Sequence, residues 1–232
     1  MSNDFILEIL ENSSMMTIEQ GMNIYHLLSK VISHNIPGSV VELGCFNGLS
    51  AALLQKTLDE HNSVKELHLF DSFEGLPDKT ELDGPTGFQK GSCKSSKEEV
   101  IKNFQKFSLK IPNIHVGWFN KTLPTQLPEK ICFAHLDGDF YSSIMESLEN
   151  VYPRLSKGAI VIVDDYYDPD INIGIQNKLN SNTMNKNSSR TYVVRNFLPG
   201  VKNACDNFFK DKPEQMQVLV SGEEAHGYFI KS

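Results

Sequence analysis

The chain predicts an α/β protein, a mostly parallel β-sheet with helices on both faces, wound as one domain over residues 1–232. Three observations predict it. Short, β-branched apolar bursts alternate with segments of helical period, the order that builds a parallel sheet through crossover helices. The bursts end repeatedly in carboxylates, at Glu42, Asp71, Asp137 and Asp164–Asp165. The first burst is followed by a turn, Gly44-Cys45-Phe46-Asn47-Gly48, that runs straight into a helical segment; open α/β sheets take their ligands at such strand ends. With 232 residues, 40% of them hydrophobic, the chain can bury a sizeable core.

Taken in order, residues 1–36 form a helical extension. Its main element is "MTIEQGMNIYHLLSKVISHN" (Met16 to Asn35), an amphipathic helix suited to cap the sheet or to join a partner subunit, which leaves a homo-oligomer open. Pro37-Gly38 introduces the first strand, "SVVEL" (Ser39 to Leu43), and "LSAALLQKTLDEH" is the helix after it. "ELHLFD" (Glu66 to Asp71) is the second strand and "SKEEVIKNFQKF" the next helix, with Ser95 or Ser96 and Glu99 as its capping residues. "NIHVGWF" (Asn113 to Phe119) is the third strand and "ICFAHLD" (Ile131 to Asp137) the fourth. The helix "SSIMESLENVYPRL" leads to the fifth strand, "GAIVIVDD" (Gly158 to Asp165). Residues 166–199 are rich in Asn, Ser, Asp and Pro and form a lid-like insertion, because a loop of this length in a compact domain is usually a lid or disordered. "GVKNACDNFFKDKP" is a last helix, and "MQVLVS" and "HGYFIK" are two closing strands joined at Gly222-Glu223-Glu224.

A formal net charge of −7 argues against nucleic acid or an acidic membrane as partner. No apolar run approaches the roughly 20 residues of a membrane span, and the acidic start "MSNDFILEILENSS" is unlike a signal peptide. The four cysteines are scattered, without CxxC or metal-finger spacing. A cytoplasmic protein with reduced thiols and a small-molecule substrate is the expectation.

The chemistry gathers at the strand ends. Gly44 and Gly48 would let the backbone approach a ligand, and the helix behind them offers free N–H groups. The G-x-x-x-G spacing lacks the G-x-G-x-x-G of a pyrophosphate site. Asp71 can accept both hydroxyls of a ribose; as a bland alternative it caps a turn. Glu42, the glycine turn and Asp71 together suit S-adenosylmethionine, which has a ribose and an ammonium but no phosphate. Asp137, Asp139, Asp164 and Asp165 would repel one another unless protonated or neutralised by a cation. Oxygen ligands without cysteine or clustered histidine select Mg2+ or a similar hard cation over zinc; four solvated loop aspartates are the alternative.

Five stretches, "VELGCFNGLSAALLQ", "LFDSFEGLP", "GWFNKTLP", "AHLDGDFYSSIMESLENVYPRLSKGAIVIVDDY" and "PGVKNACDNFF", together resemble the macrocin O-methyltransferase family of magnesium- and S-adenosylmethionine-dependent sugar O-methyltransferases. The resemblance spans roughly residues 14 to 230 and implies the Rossmann-like fold of class I methyltransferases, with a seven-stranded sheet. It implies Asp137, Asp164 and Asp165 as metal ligands and Asp139 as general base. It also implies Glu42, Gly44, Asn47 and Gly48 around the methionine part, with Asp137 adjoining, and Asp71 on the ribose. Ser72, Phe73, Gly117, Trp118 and Phe119 fall around the adenine, and Met16-Thr17 resembles a segment that closes over the cofactor. The turn departs from the family's Trp-Arg-Gly-Gly pattern with Phe46-Asn47-Gly48-Leu49.

The expected activity is methyl transfer to a hydroxyl of a sugar or glycosylated natural product. The alternatives are a catechol-like acceptor or a non-catalytic nucleotide-binding protein. An alcohol ionises near 15.7 and an aspartate near 3.9, so Asp139 alone faces about 16 kcal/mol in taking the proton. A cation and a base are therefore expected to act together. His135 and His226 are expected to be core histidines, and Tyr166 and Tyr167 stand where they can line the acceptor site.

Overall fold

A computed structural model describes residues 3–13, 15–167, 198–221 and 224–232. Seven strands form one sheet: β1 (Ser39–Leu43), β2 (Leu67–Asp71), β3 (Asn113–Val116), β4 (Ile131–Leu136), β5 (Leu155–Asp164), β6 (Gln217–Ser221) and β7 (Glu224–Ile230), in the order β3-β2-β1-β4-β5-β7-β6. β1 to β5 run parallel; β7 is antiparallel to both β5 and β6. The described helices are α1 (Asn3–Asn12), α2 (Ile18–Ser33), α3 (Leu49–Glu60), α4 (Lys97–Lys106), α5 (Phe119–Gln126), α6 (Tyr141–Val151) and α7 (Pro199–Phe209).

The apolar bursts become central strands because they are apolar on both faces. Val40, Leu69, Phe133 and Ile162 pack with α1 to α4 on one side. Val41, Phe70, Leu136 and Val163 pack with α5 to α7 on the other. Each such fully buried side chain contributes about 1.5–3 kcal/mol relative to exposure. The strand order reverses between β1 and β4, so the crossover connections diverge there and leave a crevice at the carboxyl ends.

Local signals set the helix starts. Thr17 caps α2 through a reciprocal pair: its hydroxyl accepts from Gln20 N at 3.2 Å, and Gln20 Oε1 accepts from Thr17 N at 2.7 Å. Of the two serines offered for α4, Ser96 is the cap, with its hydroxyl accepting from Glu99 N. Buried Asp83 accepts from Tyr141 N at 2.6 Å and so ties the β2–α4 connection to the start of α6.

Several boundaries differ from the sequence expectation. The third strand stops at Val116, since Gly117 takes φ 142° and Lys121 and Thr122 N–H groups turn back onto Trp118 O to start α5. The helical extension holds a second helix, α1, which buries Phe5, Ile6 and Ile9. α2 lies across β4, β5 and the edge strand β6 and beside α3. Of the lid-like insertion, 168–197 lies outside the described residues; Tyr166 and Tyr167 are buried and Pro199 begins α7. No described helix is long and apolar enough to cross a membrane.

Candidate active site

β1 and β4 meet edge to edge just beyond their last residues. Asp137 N donates to Leu43 O and Gly44 N to Phe70 O, each at 2.9 Å. Gly44 has φ 85°, and a Cβ on it would lie 1.9 Å from Asp137 O. Gly48, the N-cap of α3, has φ 80°, and a Cβ there would lie 2.8 Å from Val100 Cγ1. Both glycines are thus required by the protein's own packing.

Asp71 holds the turn in shape. Its Oδ2 accepts from Cys45 N at 2.9 Å and Phe46 N at 3.0 Å, and its Oδ1 accepts from Phe73 N at 2.7 Å. Asn103 Nδ2 donates to Asn47 O at 2.8 Å and pins the turn to α4. Three backbone N–H groups use three of roughly four acceptor sites on a carboxylate, so Asp71 has room for one further donor.

Among the described residues, these strand ends and the segment before α2 enclose a cavity of about 610 Å³. Met16, Thr17, Gly44, Asn47, Asp71 and Ser72 reach its wall, as do Trp118, Phe119, Asp137, Asp139, Asp164 and Asp165. Glu42, Gly48, Phe73 and Gly117 are not on that wall. Phe73 is packed into the core, and Gly117 N donates to Asp71 O at 2.9 Å, so these two support their neighbours. Glu42 lies behind the wall, fully buried, with Oε1 2.8 Å from His135 Nδ1 and Oε2 without a hydrogen bond among the described residues.

Asp137, Asp139 and Asp165 bring carboxylate oxygens within 4.8 Å of one another. Asp139 and Asp165 do so from left-handed backbone, at φ 60° and 57°, a conformation that costs a non-glycine residue about 1–2 kcal/mol. Burial first, and then the charges of Asp164, Asp139 and Asp165, raise Asp137 well above the usual carboxylate range. Burial and the charges of Asp164 and Asp71 push Asp139 up to about 7. Three partly buried carboxylates with oxygen ligands only fit a hard divalent cation, which would remove the repulsion.

The expected ligand trio named Asp164 where this arrangement has Asp139. Asp164 is turned toward α2 and β7: its Oδ1 accepts from Gln20 Nε2 at 3.0 Å and from Asp165 N at 3.1 Å, and lies 3.4 Å from His226 Nε2. Its Oδ2 is 3.9 Å from His135 Nε2. Burial opposes protonation of His135, but the hydrogen bond and charge of Glu42, with Asp164, outweigh it and raise its pKa.

Gln20, Phe88, Lys90 and Cys93 also reach the cavity and were not singled out from sequence. The last three sit in the irregular β2–α4 connection, which has no periodicity to read. Gln20 carried one usable signal, its place three residues after Thr17 at a helix start. Tyr166 and Tyr167 do not reach the cavity wall.

A family model described as Macrocin-O-methyltransferase (TylF) matches residues 11–190. Demethyldecarbamoylnovobiocin O-methyltransferase of Streptomyces niveus is 36% identical over 163 residues, 66% of this chain and 62% of that protein. Mycinamicin III 3''-O-methyltransferase of Micromonospora griseorubida is 30% identical over 159 residues, 63% of this chain and 62% of that protein. The chain thus spans about three-fifths of the length of these curated relatives. The structure of the O-methyltransferase NovP is similar with a TM-score of 0.70 at 27% identity, over 93% of this chain and 80% of that one. Calicheamicin methyltransferase CalS11 has the same fold, with a TM-score of 0.63 at 19% identity over 98% and 90%. The fold is that of class I S-adenosylmethionine-dependent O-methyltransferases, and with the match over residues 11–190 the chain belongs to the macrocin-O-methyltransferase (TylF) family.

Proposed function

We propose that this protein is an S-adenosylmethionine- and divalent-cation-dependent O-methyltransferase that acts on a hydroxyl of a sugar or glycosylated small molecule. The observation that carries the reading is that Asp137, Asp139, Asp164 and Asp165 all stand on the wall of the same cavity as the glycine turn and Asp71. The relatives, a demethyldecarbamoylnovobiocin O-methyltransferase and a mycinamicin III 3''-O-methyltransferase, support the acceptor class.

S-Adenosylmethionine supplies the electrophilic methyl group, and a divalent cation such as Mg2+ makes an acceptor hydroxyl more acidic. Asp137, Asp164 and Asp165 are assigned to the cation, with Asp164 held near by Gln20. Asp71 and the turn Gly44 to Asn47 are assigned to the ribose and methionine parts, with Trp118, Phe119 and Ser72 beside the adenine. Met16 and Thr17 close the open side, anchored by Thr17 Oγ1 donating to Ser221 O at 3.3 Å.

Asp139 takes the proton from the acceptor hydroxyl. Without the cation it sits at about 7 and is a stronger base than an ordinary aspartate, yet even then an alcohol near 15.7 lies about 9 pKa units, or about 12 kcal/mol, beyond it. Transfer to Asp139 must therefore accompany methyl attack, with the hydroxyl acidified and held in line.

The test is a mass-spectrometric assay with S-adenosylmethionine, Mg2+ and a panel of free and nucleotide-linked sugars. A product heavier by one methyl group that disappears on exhaustive chelation and returns with Mg2+ is the expected result. Methylation that survives chelation undiminished removes the cation from the reading; catechols methylated in preference to every sugar overturn the acceptor class.

A further inference from the structure

Behind the carboxylate trio a second cluster lies between the sheet and α2. His135 on β4, Asp164 at the end of β5 and His226 on β7 bring one ligand atom each within 4.8 Å of the others. His226 stands directly opposite Asp164 in the β5–β7 pairing. His226 is 0% exposed and His135 1%. Among the described residues, neither ring's Nε2 makes a hydrogen bond, and His226 Nδ1 makes none either.

An unpaired buried polar atom is costly, so three such nitrogens in one place need an explanation. A cation held between the two rings would give both Nε2 atoms a partner.

Glu42 fixes the ring of His135: its Oε1 lies 2.8 Å from Nδ1 and so turns Nε2 toward Asp164. Carboxylate–imidazole pairs of this kind orient metal-binding histidines. His226 Nε2 lies 3.4 Å from Asp164 Oδ1 and His135 Nε2 3.9 Å from Asp164 Oδ2, so the two rings face the two oxygens of one carboxylate.

We propose that His135, Asp164 and His226 form a second binding site, for a borderline divalent cation of the Zn2+ or Co2+ type, which shares Asp164 with the carboxylates assigned to the active-site cation. Two imidazoles and one carboxylate favour such ions over Mg2+, which prefers oxygen ligands and keeps several waters. Asp164 borders both clusters, so a cation on the histidines draws it away from the oxygen-only site.

The test uses the full chain, stripped of metal, saturated with Mg2+ and titrated with Co2+. The expected result is an intense visible absorption of nitrogen-ligated Co2+ that saturates at one equivalent. His226→Ala weakens Co2+ binding at least tenfold, while Asp139→Asn leaves the band in place. Crystals soaked in Zn2+ give an anomalous peak between His135, Asp164 and His226. A titration without that band, a band unchanged by His226→Ala, or an anomalous peak confined to Asp137, Asp139 and Asp165 overturns the proposal. If circular dichroism shows that His226→Ala does not fold, the anomalous peak in the wild-type protein decides.

Discussion

Asp137 and Asp139 are two positions apart, yet their assigned roles differ. Asp137 follows β4 directly and feels the charges of three other aspartates, which suits a group that needs a cation. Asp139 has turned through φ 60° and sits at about 7, which suits a group that takes up a proton. Asp139→Asn is expected to lower kcat by about 10²–10⁴-fold and to leave Mg2+ binding by calorimetry intact, whereas Asp137→Asn abolishes both. Loss of Mg2+ binding in Asp139→Asn would make Asp139 a ligand and leave the base unassigned. The acidic residues were legible in the sequence because each closes an apolar burst. The partners of Asp164 were not: Gln20 lies 144 positions away, and His226 reaches it only through the antiparallel β5–β7 register.

At the level of elements, the glycine turn was read correctly as a strand-to-helix turn, but the reason for its glycines lies in contacts that sequence does not display. Gly44 faces the backbone of β4's end and Gly48 the side chain of Val100, both far away in the chain. The third strand was overextended because Trp118 and Phe119 carry the apolar character of "NIHVGWF" past Val116, and α5 was missed because Pro124 argues against a helix there. Gly44 and Gly91 offer a matched pair, with φ 85° and 81°. A Cβ at Gly91 meets nothing within 4 Å, whereas one at Gly44 overlaps Asp137 O. Gly91→Ala therefore carries only the backbone cost, about 1 kcal/mol. Gly44→Ala adds a clash and is expected to cost about 2–5 kcal/mol in urea unfolding. Equal losses would show that the strain lies in φ alone and that β1 and β4 can move apart.

For the whole molecule, one consequence of the strand order is a division of labour. The helices on both faces supply the two cores, while the carboxyl rim collects polar groups that gain nothing from burial. The antiparallel β6–β7 pair closes the sheet, and its far end is held by Glu214. Glu214 Oε1 accepts from Lys231 Nζ at 2.8 Å and from Ser232 N at 3.1 Å, and Oε2 accepts from Tyr152 OH at 2.5 Å. Burial alone would raise the Glu214 pKa, but the bonds from Lys231, Tyr152 and Ser232 outweigh it and hold the carboxyl well below its ordinary range. A depressed folded-state pKa gives stability that is fully present above the unfolded value of about 4.3 and is lost as pH falls toward the folded one. Glu214→Gln keeps the shape but removes the charge that Lys231 faces. Near pH 7 it is expected to lower unfolding stability by about 1–3 kcal/mol. The gap from wild type should narrow steadily below about pH 4, because there the carboxyl of the unfolded wild-type chain binds a proton while the folded one stays ionised, which lowers wild-type stability alone. Urea titrations of both proteins at pH 7 and pH 3.5 read this directly. A gap that stays constant across that window would assign the effect to lost packing, and the closing hairpin would then owe its anchorage to the apolar contacts of Phe229 with Phe209 and Tyr152.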